Sequence, residues 1–260
     1  MRIKYISTTD QRNLKVNHIV EKYFNSFTLE TIPELLVVAG GDGALLHAIQ
    51  EHNKLQVPFF GIAGGTLNFL MNPTDDIKKL FGRLKKENVA LTEIKTTSIK
   101  VSVLKENGKK SLIGYAINDV VIGSTIMGYH HFVLNSEDGS FSNFEISGSG
   151  ICVSTDLGST GYNFNLGGSI LPLGSPLWSV NGIVCNRFLE DILTIQKLEI
   201  VSKSIREPEI IYIDGIKKDI DVKQNDKIIL EKGQTIRIAF LDKSDFINRR
   251  LEIASRYRKH

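Results

Sequence analysis

The chain has 260 residues, of which 42% are hydrophobic and 23% are charged, and its formal net charge is +3. This composition is typical of a globular protein with a sizeable core, and the small charge excess gives no indication of a nucleic-acid partner. No stretch approaches the roughly 20 apolar residues of a membrane span, so we expect no membrane partner. Cys152 and Cys185 are too few for a disulfide framework or a zinc site, and we expect them to be reduced thiols of a cytoplasmic protein.

The first third of the chain predicts strands and helices in alternation. This alternation indicates an α/β domain with a parallel, doubly wound sheet, whose ligands bind beyond the carboxyl ends of its strands. The predicted elements are a strand at 3–7, a helix near 10–25, a strand at 35–39, a helix from 42 to about 53, a strand at 57–62, and a helix after Pro73 through Lys86.

After about residue 95 the pattern changes to short β-rich runs separated by Gly, Asn and Asp. Such runs favour an all-β domain built as an antiparallel sandwich or prism, and a binding site where the two domains join. Within this part, Trp178 is predicted to pack in a helix. The predicted strands lie at 98–105, 111–123, 129–135, 139–147, 150–155, 192–201, 209–213, 227–231 and 235–241.

A glycine-rich turn, Gly40-Gly41-Asp42-Gly43, follows the apolar strand at 35–39 and precedes a helix. Glycines at a strand end let the backbone approach a ligand closely, and the N–H groups that open a helix favour a phosphate. Asp42 could orient a magnesium-bound phosphate or accept a proton from an attacking hydroxyl. These residues alone leave open a plain tight turn with an Asx-type helix cap.

Two further glycine-rich segments follow predicted strands. The segment at 61–70 is a second phosphate-type loop, and two such loops at successive strand ends favour a nucleotide. In the segment at 147–168, Ser and Thr hydroxyls suit ribose or phosphate oxygens and Tyr162 suits the flank of a ring, with a capped helix start as the alternative. No His, Cys, Asp and Glu residues have metal-ligand spacing, so His47, His130 and His131 are expected to pack and no protein metal site is predicted.

Together these residues resemble the NAD kinase family over roughly residues 35–215. The resemblance implies ATP- and Mg²⁺-dependent phosphorylation of the adenosine ribose 2′-hydroxyl of NAD by a homodimer or homotetramer, with Mg²⁺ arriving on ATP. It also implies an α/β domain at 1–95, joined by the terminal segment 245–260, and a β-rich NAD-binding domain at 96–244. The motifs that carry it are residues 40–43, 118–119, 154–155 with 158–162, 167–168, 186–187 and 214–215.

The resemblance also implies roles for individual residues. Asp42 matches the catalytic aspartate, and the neighbouring glycines Gly40, Gly41 and Gly43 are expected to hold the phosphates of ATP. The residues expected to bind NAD are Asn118, Asp119, Ser149, Thr160, Gly161, Tyr162, Asn165 and Asp214.

The chain departs from the family pattern at several of its motifs. Residues 65–69 resemble a loop of the lipid kinases, so a diacylglycerol or sphingoid-base kinase is one alternative. A non-catalytic homologue that binds NAD or another nucleotide is a second alternative. The departures are Asp119 in place of Glu, Ser149 in place of Asp, Asp156-Leu157 in place of Pro-Thr, Phe188 in place of Pro, and Ala63 and Asn68 in the second loop.

Overall fold

A computed structural model describes most of the chain and divides it into two compact units. The first unit contains residues 1–95 and 235–260, and the second contains residues 96–234. Of the terminal segment 245–260, only residues 252 and 255 are described, so its predicted return to the first domain lies outside the described residues. The described residues are 2–6, 14–26, 32–64, 69–72, 77–85, 90–123, 128–137, 139, 142–185, 192–195, 197–203, 209–241, 252 and 255.

Along the chain, strands and helices alternate at first, and nearly all of the later elements are strands. In chain order they are β1 (Ile3–Ile6), α1 (Leu14–Glu21), β2 (Asn25–Ser26), β3 (Leu35–Gly40), α2 (Asp42–His52), β4 (Phe59–Ala63), α3 (Ile77–Lys85), β5 (Thr92–Leu104), β6 (Lys110–Ala116), β7 (Asp119–Gly123), β8 (His130–Ser136), β9 (Phe144–Ser154), α4 (Tyr162–Asn165), β10 (Leu177–Cys185), β11 (Ile192–Ile195), β12 (Lys197–Ser202), β13 (Ile210–Ile213), β14 (Ile216–Lys217) and β15 (Lys227–Phe240); single 3-10 turns cover Asn53–Leu55 and Gly158–Thr160.

The first unit is built on a parallel sheet with strand order β2-β1-β3-β4. Near its end, β15 adds to this sheet beside β4, with Ile238 opposite Phe59. Every residue of β3 is buried, as expected for a parallel strand covered on both faces. The apolar face of α3 packs into the same core through Leu80, Phe81 and Leu84.

Two polar contacts fix the edges of this sheet. The Asn72 side chain donates to the carbonyl oxygens of Gly61 (2.9 Å) and Ala239 (3.2 Å) and accepts from the amide of Leu241 (3.0 Å). Arg237 makes two 2.7 Å hydrogen bonds to the carboxylate of Glu93, which lower the pKa of that carboxyl. Since the buried Asn72 uses both ends of its amide, it ties the segment after β4 to the end of β15.

The second unit is an antiparallel β structure with strand order β14-β13-β7-β9-β8-β12-β15. β10 pairs with β9 and with β11, and β5 pairs with β6 across a register shift between Val101 and Ser102. The inward-facing side chains form one large apolar core. The predicted class, an α/β domain followed by a β-rich domain, is therefore confirmed.

Several boundaries differ from those expected, because pairing across the sheet outweighs local signals. The runs at 139–147 and 150–155 form the single strand β9, and those at 227–231 and 235–241 form β15. The run at 111–123 is broken at Ile117 and Asn118 into β6 and β7. The prediction of a helix at Trp178 is wrong, since Trp178 lies in β10 and pairs with Thr194 of β11. Its side chain packs in the core as expected.

Among the described residues, no helix is long and apolar enough to cross a membrane.

Candidate functional site

The glycine-rich turn of the first unit joins β3 to α2. Gly41 precedes the helix in an extended conformation, and no side chain caps the helix there. The Asp42 carboxylate instead accepts hydrogen bonds from the amides of Phe69 (2.8 Å) and Leu70 (2.9 Å). An Asx-type cap is thus not what this aspartate provides; it connects the turn to the segment that follows β4.

The space above this turn is open. A Cβ atom built on Gly41 or Gly43 would meet no heavy atom within 4 Å. The second glycine-rich segment begins beside it, because Gly40 lies opposite Ala63 and the amide of Gly64 donates to the carbonyl of Gly40 (2.7 Å). Residues 65–68, including the departure at Asn68, lie outside the described residues. The first N–H groups of α2 and this open space together suit a bound anion.

A cavity of about 470 Å³ lies in the second unit. Five of the residues predicted to bind NAD line it, although they come from four separate parts of the chain. Thr160, Gly161 and Asn165 do not line it, and Gly161 and Asn165 are exposed. The lining residues are Asn118, Asp119, Val121, Gly123, Ser149, Tyr162, Ile183, Tyr212, Asp214 and Gly215.

Sequence reasoning assigned no binding role to the other five lining residues, although Gly215 belongs to the motif at 214–215. Tyr212 could have been suspected, because it lies two positions before Asp214 in a predicted strand and its side chain alternates with the buried Ile211 and Ile213. Ile183, on β10, carried no comparable signal.

Asp214 shapes one wall of the cavity by holding the break between β6 and β7. Its carboxylate accepts hydrogen bonds from three consecutive amides, those of Ile117 (2.9 Å), Asn118 (2.7 Å) and Asp119 (3.1 Å). Its own amide donates to the carbonyl of Asp119 (3.0 Å), and its φ angle is +50°. A carboxylate facing three N–H groups fixes the direction in which the side chains of Asn118 and Asp119 point.

The same turn is held from its other side by the strand end of β9. The hydroxyl of Thr155 donates to the carbonyl of Ile117 (2.5 Å), and the amide of Thr155 donates to the carbonyl of Asn118 (2.8 Å). Gly158 packs so closely that a Cβ atom there would lie 2.2 Å from the Asn118 carbonyl oxygen. Within the described part of the chain, the buried Oδ1 atom of Asn118 has no hydrogen-bond partner, so this acceptor is available to a ligand.

Asp119 is an unusual carboxyl group because it is only 8% exposed. Burial, together with the nearby carboxylate of Asp214, raises the pKa of Asp119 from 3.8 to about 6. Burial and the charge of Asp119 also raise the pKa of the Cys152 thiol. Tyr162, which is 43% exposed, likewise has a raised pKa, so these neighbours of Asp119 are neutral near pH 7.

The segment that carries Tyr162 is anchored by a buried polar network. Asn163 donates to the carbonyls of Ser159 (3.2 Å) and Ser169 (3.0 Å) and accepts from Ser179 (2.9 Å) and Asn181 (2.6 Å). This network positions the segment against β10 and leaves Tyr162 at the cavity.

Two of the departures from the family pattern take structural roles in this segment. The buried Asp156 carboxylate accepts hydrogen bonds from the hydroxyl of Thr96 and the amide of Gly174 (2.6 Å). Leu157 is buried too, and neither residue lines the cavity. Ser149, in contrast, does line it.

The described residues contain no group of three or more His, Cys, Asp or Glu side chains that could hold a metal ion. His130 and His131, like Cys152, lie in strands of the second unit, and His130 is buried with its Nδ1 atom 2.6 Å from Glu209 Oε2.

Comparison with known proteins agrees with this arrangement. A model of the ATP-NAD kinase N-terminal domain matches residues 3–88. The NAD kinase of Rickettsia canadensis is 31% identical over 186 residues, which cover 72% of this chain and 70% of the relative. The NAD kinase of Rickettsia typhi is 30% identical over 174 residues, and the chain spans 65% of the length of that relative.

Two solved structures share the fold. An NAD kinase from Archaeoglobus fulgidus in complex with ATP superposes with a TM-score of 0.71 at 21% identity, covering 98% of this chain and 99% of that one. Yeast NADH kinase complexed with NADH gives a TM-score of 0.76 at 18% identity, and the match covers 97% of this chain and 86% of that one. On the strength of the curated relatives, the chain belongs to the NAD kinase family.

Proposed function

We propose that the chain is an ATP-dependent NAD kinase, which transfers the γ-phosphoryl group of ATP to the adenosine ribose 2′-hydroxyl of NAD. The observation that carries this proposal is the cavity of the second unit. It gathers five of the eight residues that the family resemblance assigns to NAD: Asn118, Asp119, Ser149, Tyr162 and Asp214. Family membership and the names of the relatives support the same activity.

The acceptor is proposed to bind through groups that match a nucleoside. The Asn118 Oδ1 atom and the carboxylate of Asp119 accept hydrogen bonds from ribose hydroxyls, and Tyr162 flanks a ring. Thr160, Gly161 and Asn165 lie next to Tyr162 in the chain and are proposed to contact the part of NAD that extends out of the cavity.

The donor is proposed to bind at the glycine-rich turn of the first unit. Gly41 and Gly43 leave open space, and Gly40 ends β3 directly before them. The 11-residue helix α2 has about three turns, and its N-terminus attracts phosphate oxygens. Mg²⁺ enters as part of the substrate MgATP, since this ion is commonly held by phosphate oxygens and water with few protein ligands.

Asp42 is proposed to orient the attacking hydroxyl and to accept its proton. Each oxygen of its carboxylate accepts a hydrogen bond, one from the amide of Phe69 and one from the amide of Leu70. Those bonds hold the carboxylate in one orientation, and phosphoryl transfer depends mainly on positioning of this kind and on charge neutralisation.

A phosphotransfer assay tests the proposal. ADP production is measured with MgATP and either NAD, NADH or diacylglycerol, and NADP or NADPH is identified among the products. Phosphorylation of NAD supports the proposal, whereas phosphorylation of diacylglycerol alone selects a lipid kinase. That alternative is disfavoured because the carboxylates of Asp119 and Asp214 in the cavity do not suit an acyl chain. Tight NAD binding without ADP production selects the non-catalytic homologue.

The assembly and location of the protein are also proposals. We propose a homodimer or homotetramer, by resemblance to the family. We propose the cytoplasm, because Cys152 and Cys185 form no disulfide within the described part of the chain.

A further inference from the structure

Resting on the proposed function, we infer that Asp119 selects the acceptor by the charge of its ring: the cavity takes the positively charged oxidised dinucleotide in preference to the neutral reduced one, and the preference disappears when this carboxyl is protonated.

The lining of the cavity is the first observation behind this inference. Two carboxylates, those of Asp119 and Asp214, line it, whereas no Lys, Arg or His side chain among the described residues does so. An anion such as the pyrophosphate of a dinucleotide is therefore repelled. The nicotinamide ring of NAD is the one cationic part of that acceptor, and the reduced ring of NADH carries no charge.

The remaining lining groups also favour a cation. Tyr162 and Tyr212 line the cavity, and an aromatic ring stabilises a cation that lies over its face. The Asn118 Oδ1 atom adds a buried acceptor, since it has no hydrogen-bond partner within the described residues. The ligand is therefore expected to bring donors and positive charge, which the oxidised nucleoside end supplies.

Asp119 is the group whose charge changes. The Asp214 carboxylate accepts hydrogen bonds from three backbone amides. Asp119 receives no such bonds from the described residues and is buried beside that carboxylate, which raises its pKa to about 6. The other titratable groups near it are the Cys152 thiol and the Tyr162 hydroxyl, both with raised pKa. Tyr212 also lines the cavity.

The sign of the effect follows from this titration. Above its pKa Asp119 is charged and attracts the cationic ring; as the pH falls through the pKa, the carboxyl takes up a proton and the attraction is lost. A cation that lowers this pKa by about one unit binds about tenfold more tightly at high pH. The ratio of NADH to NAD dissociation constants is then about ten at pH 8 and about three at pH 5.5, and NAD binding at pH 5.5 releases about half a proton.

Isothermal titration calorimetry on the full chain tests the inference. NAD and NADH are titrated at pH 5.5 and pH 8, and the pH 5.5 titrations are repeated in two buffers of different ionisation enthalpy to count the protons released. Asp119→Asn keeps the shape of the side chain and removes its charge. We expect it to lower the ratio of the NADH and NAD dissociation constants at pH 8 by about tenfold and to abolish the proton release on NAD binding. Asp221→Asn, at a side chain that is 59% exposed and outside the cavity, is the matched control and should leave both unchanged.

Each outcome of these titrations either supports or overturns the inference about Asp119. Equal affinities for NAD and NADH at pH 8, or a ratio that does not change with pH, overturn the inference and leave the proposed function standing. Binding of neither dinucleotide at either pH overturns both. If Asp119→Asn does not fold, the proton count on the unmodified chain decides alone: a release confined to NAD supports the inference, and no difference between NAD and NADH overturns it.

Discussion

Replacement of Asp214 by Asn tests whether this carboxylate positions the turn that carries Asn118 and Asp119. Asn tolerates the positive φ of this position, so the substitution adds little backbone strain and isolates the hydrogen bonds. One acceptor oxygen becomes an NH₂ group that faces an amide N–H, and the remaining bonds lose their charge assistance. Hydrogen bonds to charged groups contribute about 1.5–3 kcal/mol, against about 0.5–1.5 for neutral ones.

For three amide donors this comparison predicts that the free energy of unfolding falls by about 3 kcal/mol. Relief of the repulsion between residue 214 and Asp119 offsets part of this, which leaves a net loss of about 2 kcal/mol. Urea unfolding of both proteins measures the change, and steady-state kinetics should show a higher KM for NAD because the turn is less well held. Asp221→Asn is again the control. Surface substitutions usually change the free energy of unfolding by no more than about 0.5 kcal/mol. If Asp214→Asn changes it by no more than this and leaves KM unchanged, the positioning role is refuted.

Three further substitutions test other parts of the site. Asp42→Asn should retain NAD and ATP binding by calorimetry while turnover falls about 10²–10⁴-fold, and activity within about threefold of the parent would contradict the assigned role. Ser149→Asp places another carboxylate in the cavity and should lower KM for NAD by about 5–30-fold with little change in kcat; an increase in KM would show that the cavity fits a different acceptor geometry. Gly158→Ala should lower the thermal midpoint, because its Cβ would lie 2.2 Å from the Asn118 carbonyl oxygen. Gly41→Ala, where a Cβ meets nothing within 4 Å, is the contrasting variant and should change stability far less.

The parts of the site that depend on local sequence could be predicted, and those that depend on distant contacts could not. A strand, a glycine turn and a helix follow one another along the chain, so the placement of Asp42 at the start of α2 is readable from neighbouring residues. The hydrogen bonds that the Asp214 carboxylate accepts come from amides nearly a hundred positions away in the chain. Its place near the cavity could be carried over by resemblance, but its use as an acceptor for three amides could not.

Asp156 is a second residue whose role depends on contacts that the local sequence does not reveal. In the sequence it stands out as a departure within a motif, which suggested an altered ligand contact. In the structure it is buried, and its partners Thr96 and Gly174 are supplied by segments that local patterns do not connect to it. Ser149, in contrast, lies on β9 and lines the cavity, so a changed ligand contact at this residue stays a prediction.

The network around Asn163 has a consequence for how the segment bearing Tyr162 moves. One buried amide joins the carbonyls of Ser159 and Ser169 to the side chains of Ser179 and Asn181. This segment cannot swing out alone without breaking the hydrogen bonds that join Asn163 to Ser169, Ser179 and Asn181. In hydrogen–deuterium exchange its amides should therefore open together with those of β10, as one cooperative unit, and ligand should find Tyr162 already in place.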